Sequence, residues 1–420
     1  MENKYQVPRG TQDLYGDYVT LWQQMEEIIA HQCNLFGYKE IRTPIFEHAE
    51  VFKQDNDSSD MVNKEMYCFK DNGERDLALR PEGTKGVIRS FVEHKMYGNA
   101  DMPVKLFYKG PMFRYDRPQK GRYRQFHQFG VEAIGVKNPL LDVEVIALGY
   151  AITKQMGINN VVVLINSLGD KESREAYRAA LKDYFKPYLD QLCEDCRRRY
   201  DQNPLRILDC KADRANPIMA DAPKCRDYLN DASKEYFETV IKGLDELGIP
   251  YQIDDRLVRG LDYYTNTVFE AVPIDDNGQQ ATVFGGGQYD GLVDLFGGGQ
   301  LAGIGFGMGM ERMIDLAMEQ GSMQPRESLV DYYVISLGNV GNYAVKIANT
   351  LRSNGLSVDM DFQSRSLKAQ FKTADRFNAK NIIIVGEDEV ANQTMQLKNC
   401  ETKEQKNIKF DELLKEAGVE

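Results

Sequence analysis

The densest chemistry in the chain lies in residues 105–134, KLFYKGPMFRYDRPQKGRYRQFHQFGVEAI. Strand side chains alternate, so Met112, Arg114 and Asp116 share one parity. Arg124, Phe126, Gln128, Gly130 and Glu132 share one face of a second strand. A face that mixes arginine, glutamine and glutamate is a poor apolar core and a good wall for a ligand carrying both phosphate and amine. An ordinary hairpin with a solvated face has the same pattern, so the rest of the chain must decide. Lys105, Lys109, Arg114, Arg117, Lys120, Arg122 and Arg124 stand against Asp116 alone, a local cationic excess in a chain of net charge −12. That overall charge argues against indiscriminate adhesion to nucleic acid and permits a specific phosphate site. Two further arginines stand near glycines: Arg259, followed by Gly260 and two tyrosines, and Arg312, just after a run of alternating glycines.

These residues need strands to hold them. Residues 105–115 and 122–134 read as a hairpin around a Pro- and Gly-bearing loop. Before it, 18–36 has helical apolar spacing and a Gly37 stop, and 38–52 reads as extended, with Pro44 confining it to an edge or an interface with a second subunit. Residues 66–80 read as a hairpin turning at Asp71-Asn72-Gly73. Leu79-Arg80-Pro81-Glu82-Gly83-Thr84 then opens a helix, where Glu82 and Thr84 could simply be capping residues. A helix over 141–156 and a buried strand, VVVLINSL, follow. Residues 171–250 are helical, charged and cysteine-bearing, and look inserted between strand-rich blocks. Strands return within 251–272, with a turn at 275–278, and at 282–284. Glycine-rich passages follow, and GIGFGMGMERMIDLAM reads as a strand of alternating glycines running into a helix, open to close approach by a backbone or flat ring. From DYYVISLG onward the pattern is β-α-β-α-β, a small, mostly parallel sheet. Its second helix, 367–378, sets Lys368, Lys372, Arg376 and Lys380 in one basic stripe.

At 420 residues the chain is long enough for two or three domains. No apolar leader or membrane-length run occurs, and seven scattered cysteines suit reduced thiols, so the expected location is cytoplasmic. Phosphate-binding GxxxxGK[ST], strict GxGxxG, a serine nucleophile elbow and HExxH are all absent. Cys193-x-x-Cys196 is one metal-like pair, but Cys210 and Cys225 supply no second tight pair. Free thiols are therefore favoured over a structural zinc.

Several stretches together resemble the class II aminoacyl-tRNA synthetases, and within them the histidyl-tRNA synthetase family. The Pro44 segment resembles the dimer-forming motif 1, GPMFRYDRPQKGRYRQFHQFGVE motif 2 and GIGFGMGMERM motif 3. RLVRGLDYYTNTVFEA and ATVFGGGQYDGL resemble the two signatures of the histidine enzymes. Asn266 and Gln288 depart from the family's more usual Gly and Arg, which puts local turn geometry in question. The implied fold is α+β: an antiparallel-sheet catalytic core (1–170 and 251–325), a helical insertion (171–250) and a C-terminal α/β anticodon-binding domain (329–420). The implied activity is histidine–tRNA ligation: ATP and histidine give histidyl-adenylate and pyrophosphate, and histidine then passes to the 3′ end of its tRNA. A regulatory relative of the ATP phosphoribosyltransferase kind would lack the last domain and erode the arginines. A non-catalytic RNA-binding module would leave Glu82, Gln128 and Glu132 unexplained.

The resemblance also implies roles. Arg114 and Arg259 flank the α-phosphate and Arg312 grips the γ-phosphate, as the three catalytic residues. Arg122 and Tyr123 contact ATP. Glu82, Gly83, Thr84, Gln128 and again Arg114 and Arg259 surround the amino acid, with Glu132 and Tyr264 on the imidazole and Tyr263 in the pocket or in the core. Arg117, Gln119 and Lys120 would meet the acceptor stem. The implied partners are histidine, ATP with Mg²⁺, the tRNA and a second copy of the chain in a homodimer, with no membrane. The residues assign no Mg²⁺ ligand.

Overall fold

The computed structural model describes residues 5–53, 61–98, 101–119, 121–210, 212–259, 263–274, 282–326 and 330–419. The chain divides into two compact units, Met1–Gln324 and Pro325–Glu420.

In the first unit, α1 (Asp17–Leu35) buries Leu21, Trp22, Met25, Ile29 and Cys33, the stripe its apolar spacing demands. Strands β1 (Lys39–Glu40) and β2 (Phe46–His48) come next, then the hairpin β3 (Cys68–Lys70) and β4 (Asp76–Leu79), α2 (Thr84–Glu93), β5 (Val104–Phe113), β6 (Gln125–Ile134), α3 (Pro139–Gln155) and β7 (Val161–Ser167). The expected extended stretch around Pro44 is two short strands, with the proline in the break between them. The β3–β4 turn forms at Asp71-Asn72-Gly73, where the Asp71 Oδ1 accepts from Gly73 N at 2.8 Å and Arg75 N at 3.0 Å.

Inserted helices α4 (Lys171–Phe185), α5 (Glu194–Gln202) and α6 (Asp231–Glu246) follow, with β8 (Tyr251–Ile253), β9 (Thr265–Pro273), β10 (Phe284–Tyr289), α7 (Leu292–Leu295), β11 (Gly303–Gly309) and α8 (Met310–Glu319) after them. Helix starts are chemically marked: Asn138, Asp170 and Asn230 cap α3, α4 and α6 through their side chains, each worth about 1 kcal/mol.

The main sheet runs β1-β5-β6-β11-β10-β9-β7-β8. Its six central strands are antiparallel throughout, and only the short edge strands β1 and β8 pair in parallel. One face is sealed by α1, α3 and α8 over Phe107, Phe129, Phe269, Phe284 and Phe306. Two expectations are corrected here. Residues 254–259 and 263–264 are not strand, so Arg259 sits on a connection between β8 and β9, and the strand expected at 282–284 begins at Phe284 and runs through the glycine-rich passage as β10. Glycine is what allows that extension: a Cβ on Gly286 would overlap the Gly305 carbonyl of the adjacent strand. The expected turn at 275–278 lies outside the described residues.

Asn266 has φ +41° and is buried, its Nδ2 donating to Asp290 Oδ2 at 3.1 Å. This left-handed position explains why glycine is comfortable there and asparagine is tolerated. Asn266→Gly is expected to change stability by less than ~1 kcal/mol, because freedom of φ offsets a lost hydrogen bond, whereas Asn266→Val should cost roughly 2–3 kcal/mol. Urea denaturation of both variants measures the contrast.

The second unit contains β12 (Tyr332–Ser336), α9 (Gly341–Ser353), β13 (Val358–Met360), α10 (Leu367–Arg376), β14 (Asn381–Val385), β15 (Thr394–Asn399) and β16 (Gln405–Lys409), in sheet order β13-β12-β14-β15-β16. The expected β-α-β-α-β core is parallel, but β15 and β16 add two antiparallel ladders, so the sheet is mixed rather than mostly parallel. TMQLKN and QKNIK carry too few apolar residues to stand out, because they cover an edge. Of the basic stripe, Lys368, Lys372 and Arg376 are exposed on α10, while Lys380 lies beyond it and bonds Asp331 at 2.8 Å.

Candidate active site

The antiparallel strands leave a cavity of about 440 Å³ over the sheet, and Arg114, Arg259 and Arg312 all line it. β6 contributes Phe126 and Gln128, the start of α2 contributes Glu82 and Thr84, and the end of β11 contributes Gly307 and Gly309. The glycines of β11 make room for polar side chains on β6, since a Cβ on Gly305 would strike the Glu132 carboxylate and one on Gly307 the Gln128 amide. The alternating glycines expected to admit close approach therefore give the clearance above which a flat ligand can lie.

Each arginine is held by something other than an ordinary surface carboxylate. Arg114 donates from Nε to the Pro81 carbonyl at 2.8 Å and lies over the Phe126 ring at 5.1 Å. Burial pushes its pKa down, which raises the free-energy gain on meeting an anion. Among the described residues Arg312 donates to carbonyls, Gly121 O at 3.3 Å and Thr282 O at 3.4 Å, and its pKa is lowered by burial and then by the neighbouring Arg122. Two like charges converging on a cavity wall form a trap for a polyanion. Arg122 is paired with Asp116 at 3.1 Å. Arg259 is paired with Glu270, whose other oxygen accepts from Thr282 Oγ1 at 3.0 Å. Burial opposes its charge most strongly, but Glu270 together with Tyr264 and Tyr263 more than offsets it and the pKa is raised. Arg259 Nε and Gln128 Oε1 are buried without a hydrogen-bond partner among the described residues, as polar groups left for a ligand would be.

The other half of the cavity is acceptor-rich. Glu82 spans the start of α2, accepting from Thr84 N at 2.6 Å and Lys85 N at 2.9 Å, so it caps the helix and faces the cavity at once. Glu132 lies beneath the lining, 1 % exposed, with Oε1 accepting from Thr84 Oγ1 at 2.7 Å and Oε2 from Tyr289 OH at 2.8 Å. Burial pushes its pKa up to about 8 against the pull of those two hydroxyls. Tyr264 lines the cavity; Tyr263 does too, its ring 4.7 Å from that of Tyr264 and edge-on to Tyr289. Gly83 sits beneath the Tyr108 ring, where a Cβ could not fit.

Such a site, cationic at one end and acceptor-lined at the other on an antiparallel sheet, matches known proteins across the whole chain. The family model for histidyl-tRNA synthetase matches residues 10–313, and the anticodon-binding-domain model matches residues 331–418. The histidine–tRNA ligase of Bacillus cytotoxicus is 50% identical over 409 residues, 97% of each chain. The chain belongs to the histidyl-tRNA synthetase family. Among solved structures, apo S. aureus histidyl-tRNA synthetase superposes with a TM-score of 0.85 at 42% identity, covering 98% of this chain and 99% of that one. A Bacillus halodurans protein described as an ATP phosphoribosyltransferase regulatory subunit/histidyl-tRNA synthetase, 20% identical with a TM-score of 0.65 over 91% and 98% of the two chains, shares the fold.

For a histidyl-tRNA synthetase core, the structure brings together Glu82, Thr84, Arg114, Arg122, Tyr123, Gln128, Arg259, Tyr263, Tyr264 and Arg312 as lining. Gly83 and Glu132 stand immediately behind that lining. Arg117 and Gln119 are exposed on the loop outside it, and Lys120 lies outside the described residues. Three contributors went unseen in the sequence. Glu270 faces Arg259 from β9; Tyr108 lines the cavity from β5; and Glu311 lines it from α8, its oxygens accepting from His127 N at 2.8 and 3.0 Å. Glu270 could have been found as the sole charge in the otherwise apolar or neutral TNTVFEAVP. Glu311 could have been found only by asking what stands beside Arg312.

Loose spacing favoured free thiols over a structural zinc; the structure nonetheless brings Cys193, Cys196 and Cys210 together at Asp213, while Cys225 stays outside the group. The second tight pair is Cys210-x-x-Asp213, missed because only sulfur was counted.

Proposed function

We infer that this cavity activates histidine with ATP: phosphates at the arginine end, the amino acid between Glu82, Gln128 and Tyr264. Family membership makes the chain an ATP-dependent aminoacyl-tRNA ligase, joining histidine to tRNA through histidyl-adenylate. The observation that carries the assignment is the convergence of Arg114, Arg259 and Arg312 on one cavity beside those acceptors.

The first step joins a histidine carboxylate oxygen to the α-phosphorus while the bond to pyrophosphate breaks. The carboxylate is already ionised, so the protein must supply orientation and positive charge rather than a base. In this reading Arg114 and Arg259 hold the α-phosphate from opposite walls, Arg312 and Arg122 hold the outer phosphates, and Tyr123 supports the nucleotide. The substrate ammonium faces Glu82, Thr84 and the Gln128 oxygen. Its imidazole lies between Glu132 and Tyr264, so each ring nitrogen has a partner. Analogues lacking one of those nitrogens would leave buried polar groups unpaired, a discrimination on the order of 10⁴ without editing.

Mg²⁺ would arrive on the phosphates, where it neutralises charge. The lining carboxylates are Glu65, Glu82, Asp116 and Glu311; Asp116 is engaged by Arg122, Glu82 by backbone N–H groups and Glu311 by His127, so the ion would be held chiefly by phosphate oxygens and water. In the second step histidine passes to the tRNA 3′ end, with Arg117, Gln119 and Lys120 at the acceptor stem. Exposed Lys368, Lys372 and Arg376 support contact with the anticodon arm. Ile45, Phe46 and Phe69, all more than two-fifths exposed near Pro44, support a homodimer through that face. Among the described residues no helix is long and apolar enough to cross a membrane.

Histidine-dependent ATP–pyrophosphate exchange without tRNA tests the assignment, and a folded protein silent in that assay would remove it. Arg312→Ala is expected to raise the KM for ATP by roughly 10–100-fold, the loss of charge-assisted bonds worth ~1.5–3 kcal/mol. The KM for histidine should stay within a factor of two or three; equal rises in both constants would contradict the phosphate role.

A further inference from the structure

The insertion holds a group of side chains that histidine activation does not use. Cys193 caps the N-terminus of α5, Cys196 lies one turn along it, and Cys210 and Asp213 come from the irregular chain that follows. One ligand atom from each of the four lies within 4.8 Å of every other. The Cys193 and Cys210 sulfurs are 3.6 Å apart, close to the ~3.8 Å that separates two sulfurs bound to one tetrahedral zinc at ~2.3 Å. Cys193 N donates to both Asp213 oxygens, at 3.3 and 3.1 Å, which aims that carboxylate at the thiols. Cys196, Cys210 and Asp213 are buried and Cys193 is partly buried.

Three thiols and a carboxylate are a costly combination to enclose, since sulfur offers the carboxylate only weak donors. We propose that Cys193, Cys196, Cys210 and Asp213 bind one zinc ion that fastens the insertion behind the amino-acid pocket. Two paired spacings, Cys-x-x-Cys on a helix start and Cys-x-x-Asp beyond it, suit a closed four-coordinate site.

The fold gives such a fastening something to hold. Between α5 and α6 the described residues form only short single-turn segments, Pro204–Ile207, Pro217–Met219 and Cys225–Tyr228. Leu205, Ile207, Leu208 and Cys210 pack in one core with Leu257, Val258 and Tyr264. The metal therefore fixes the layer on which Tyr264 and the Arg259 connection rest. Its existence does not depend on the ligase assignment, and its test reads metal rather than activity.

Full-length protein purified without chelator should contain about one zinc per chain by plasma mass spectrometry. Cys210→Ser and Asp213→Ala should each lower that at least tenfold, whereas Cys225→Ser, in the same core but outside the group, should retain it. Because a ligand variant could fail to fold, the wild-type chain is also titrated with a mercurial and zinc release followed by a chromogenic chelator. Release should accompany modification of the clustered thiols and open the 203–230 segment to trypsin. Three results would overturn the proposal: folded wild-type protein that contains no zinc and takes none up from a stoichiometric solution, an intact mass showing a Cys193–Cys210 disulfide instead, or metal content unchanged in Cys210→Ser and Asp213→Ala.

Discussion

Arg259→Ala is expected to lower histidine-dependent ATP–pyrophosphate exchange by roughly 10²–10³-fold, the usual loss when one positioned donor to a developing charge is removed, while calorimetry still detects histidine binding. The guanidinium reaches the cavity from a connection rather than a strand, and its orientation is set by Glu270. Truncation therefore has two effects. It removes a cation from the α-phosphate, and it strands Glu270, at a cost between the ~1 kcal/mol of an exposed pair and the ~3–5 kcal/mol of a buried one. The double variant Arg259→Ala, Glu270→Ala separates them. Stability should return toward that of the parent because no carboxylate is left unpaired, whereas exchange should stay as low as in the single variant. Near-normal exchange by Arg259→Ala would refute the catalytic role. Recovery of exchange in the double variant would show that the single variant had failed through misfolding.

How far the sequence could be read followed from how local each signal was. The hairpin of β5 and β6 was plain because its loop, its alternation and its register all lie within thirty neighbouring residues, and β11 was plain because alternating glycine has no bland use in a strand. Pro44, by contrast, gave the right region and the wrong element: it interrupts the extended stretch instead of sitting inside an edge strand. The glycines of β10 misled in the opposite direction, since glycine weakens strands on average and only the backbone of β11 pressing against Gly286 makes it necessary there. Glu270, Glu311 and Asp213 were missed for a common reason. Each acquires meaning from a partner distant in sequence or different in type, namely Arg259 across a connection, His127 from another strand, and three thiols. Arg114, Arg259 and Arg312 stood out by their neighbours, but their roles came only with the family motifs in view, because a lone arginine is more often a surface group.

Glu132→Gln should inactivate the enzyme and stabilise it, depending on pH. The carboxyl is enclosed beneath the cavity, and burial raises its pKa from 4.5 in the unfolded chain to about 8. Between those values the folded protein holds a proton that the unfolded chain has released. Stability must then fall as pH rises through the window, by up to ~1.4 kcal/mol per pH unit from this group. Glutamine keeps the shape and can still accept from Thr84 while bonding Tyr289, but it cannot ionise. Wild type and variant should be of similar stability near pH 5, and the variant should be more stable by a few kcal/mol near pH 8.5, as measured by urea denaturation of the ligand-free protein. Exchange should fall by roughly 10–100-fold or more, because the carboxyl can release its proton to form a charge-assisted bond with an imidazole N–H, worth ~1.5–3 kcal/mol, and the amide cannot. Parallel stability curves across that pH range would show that no buried proton is held at Glu132. A variant with normal exchange would remove Glu132 from the imidazole site, leaving Tyr264 to recognise one ring nitrogen alone.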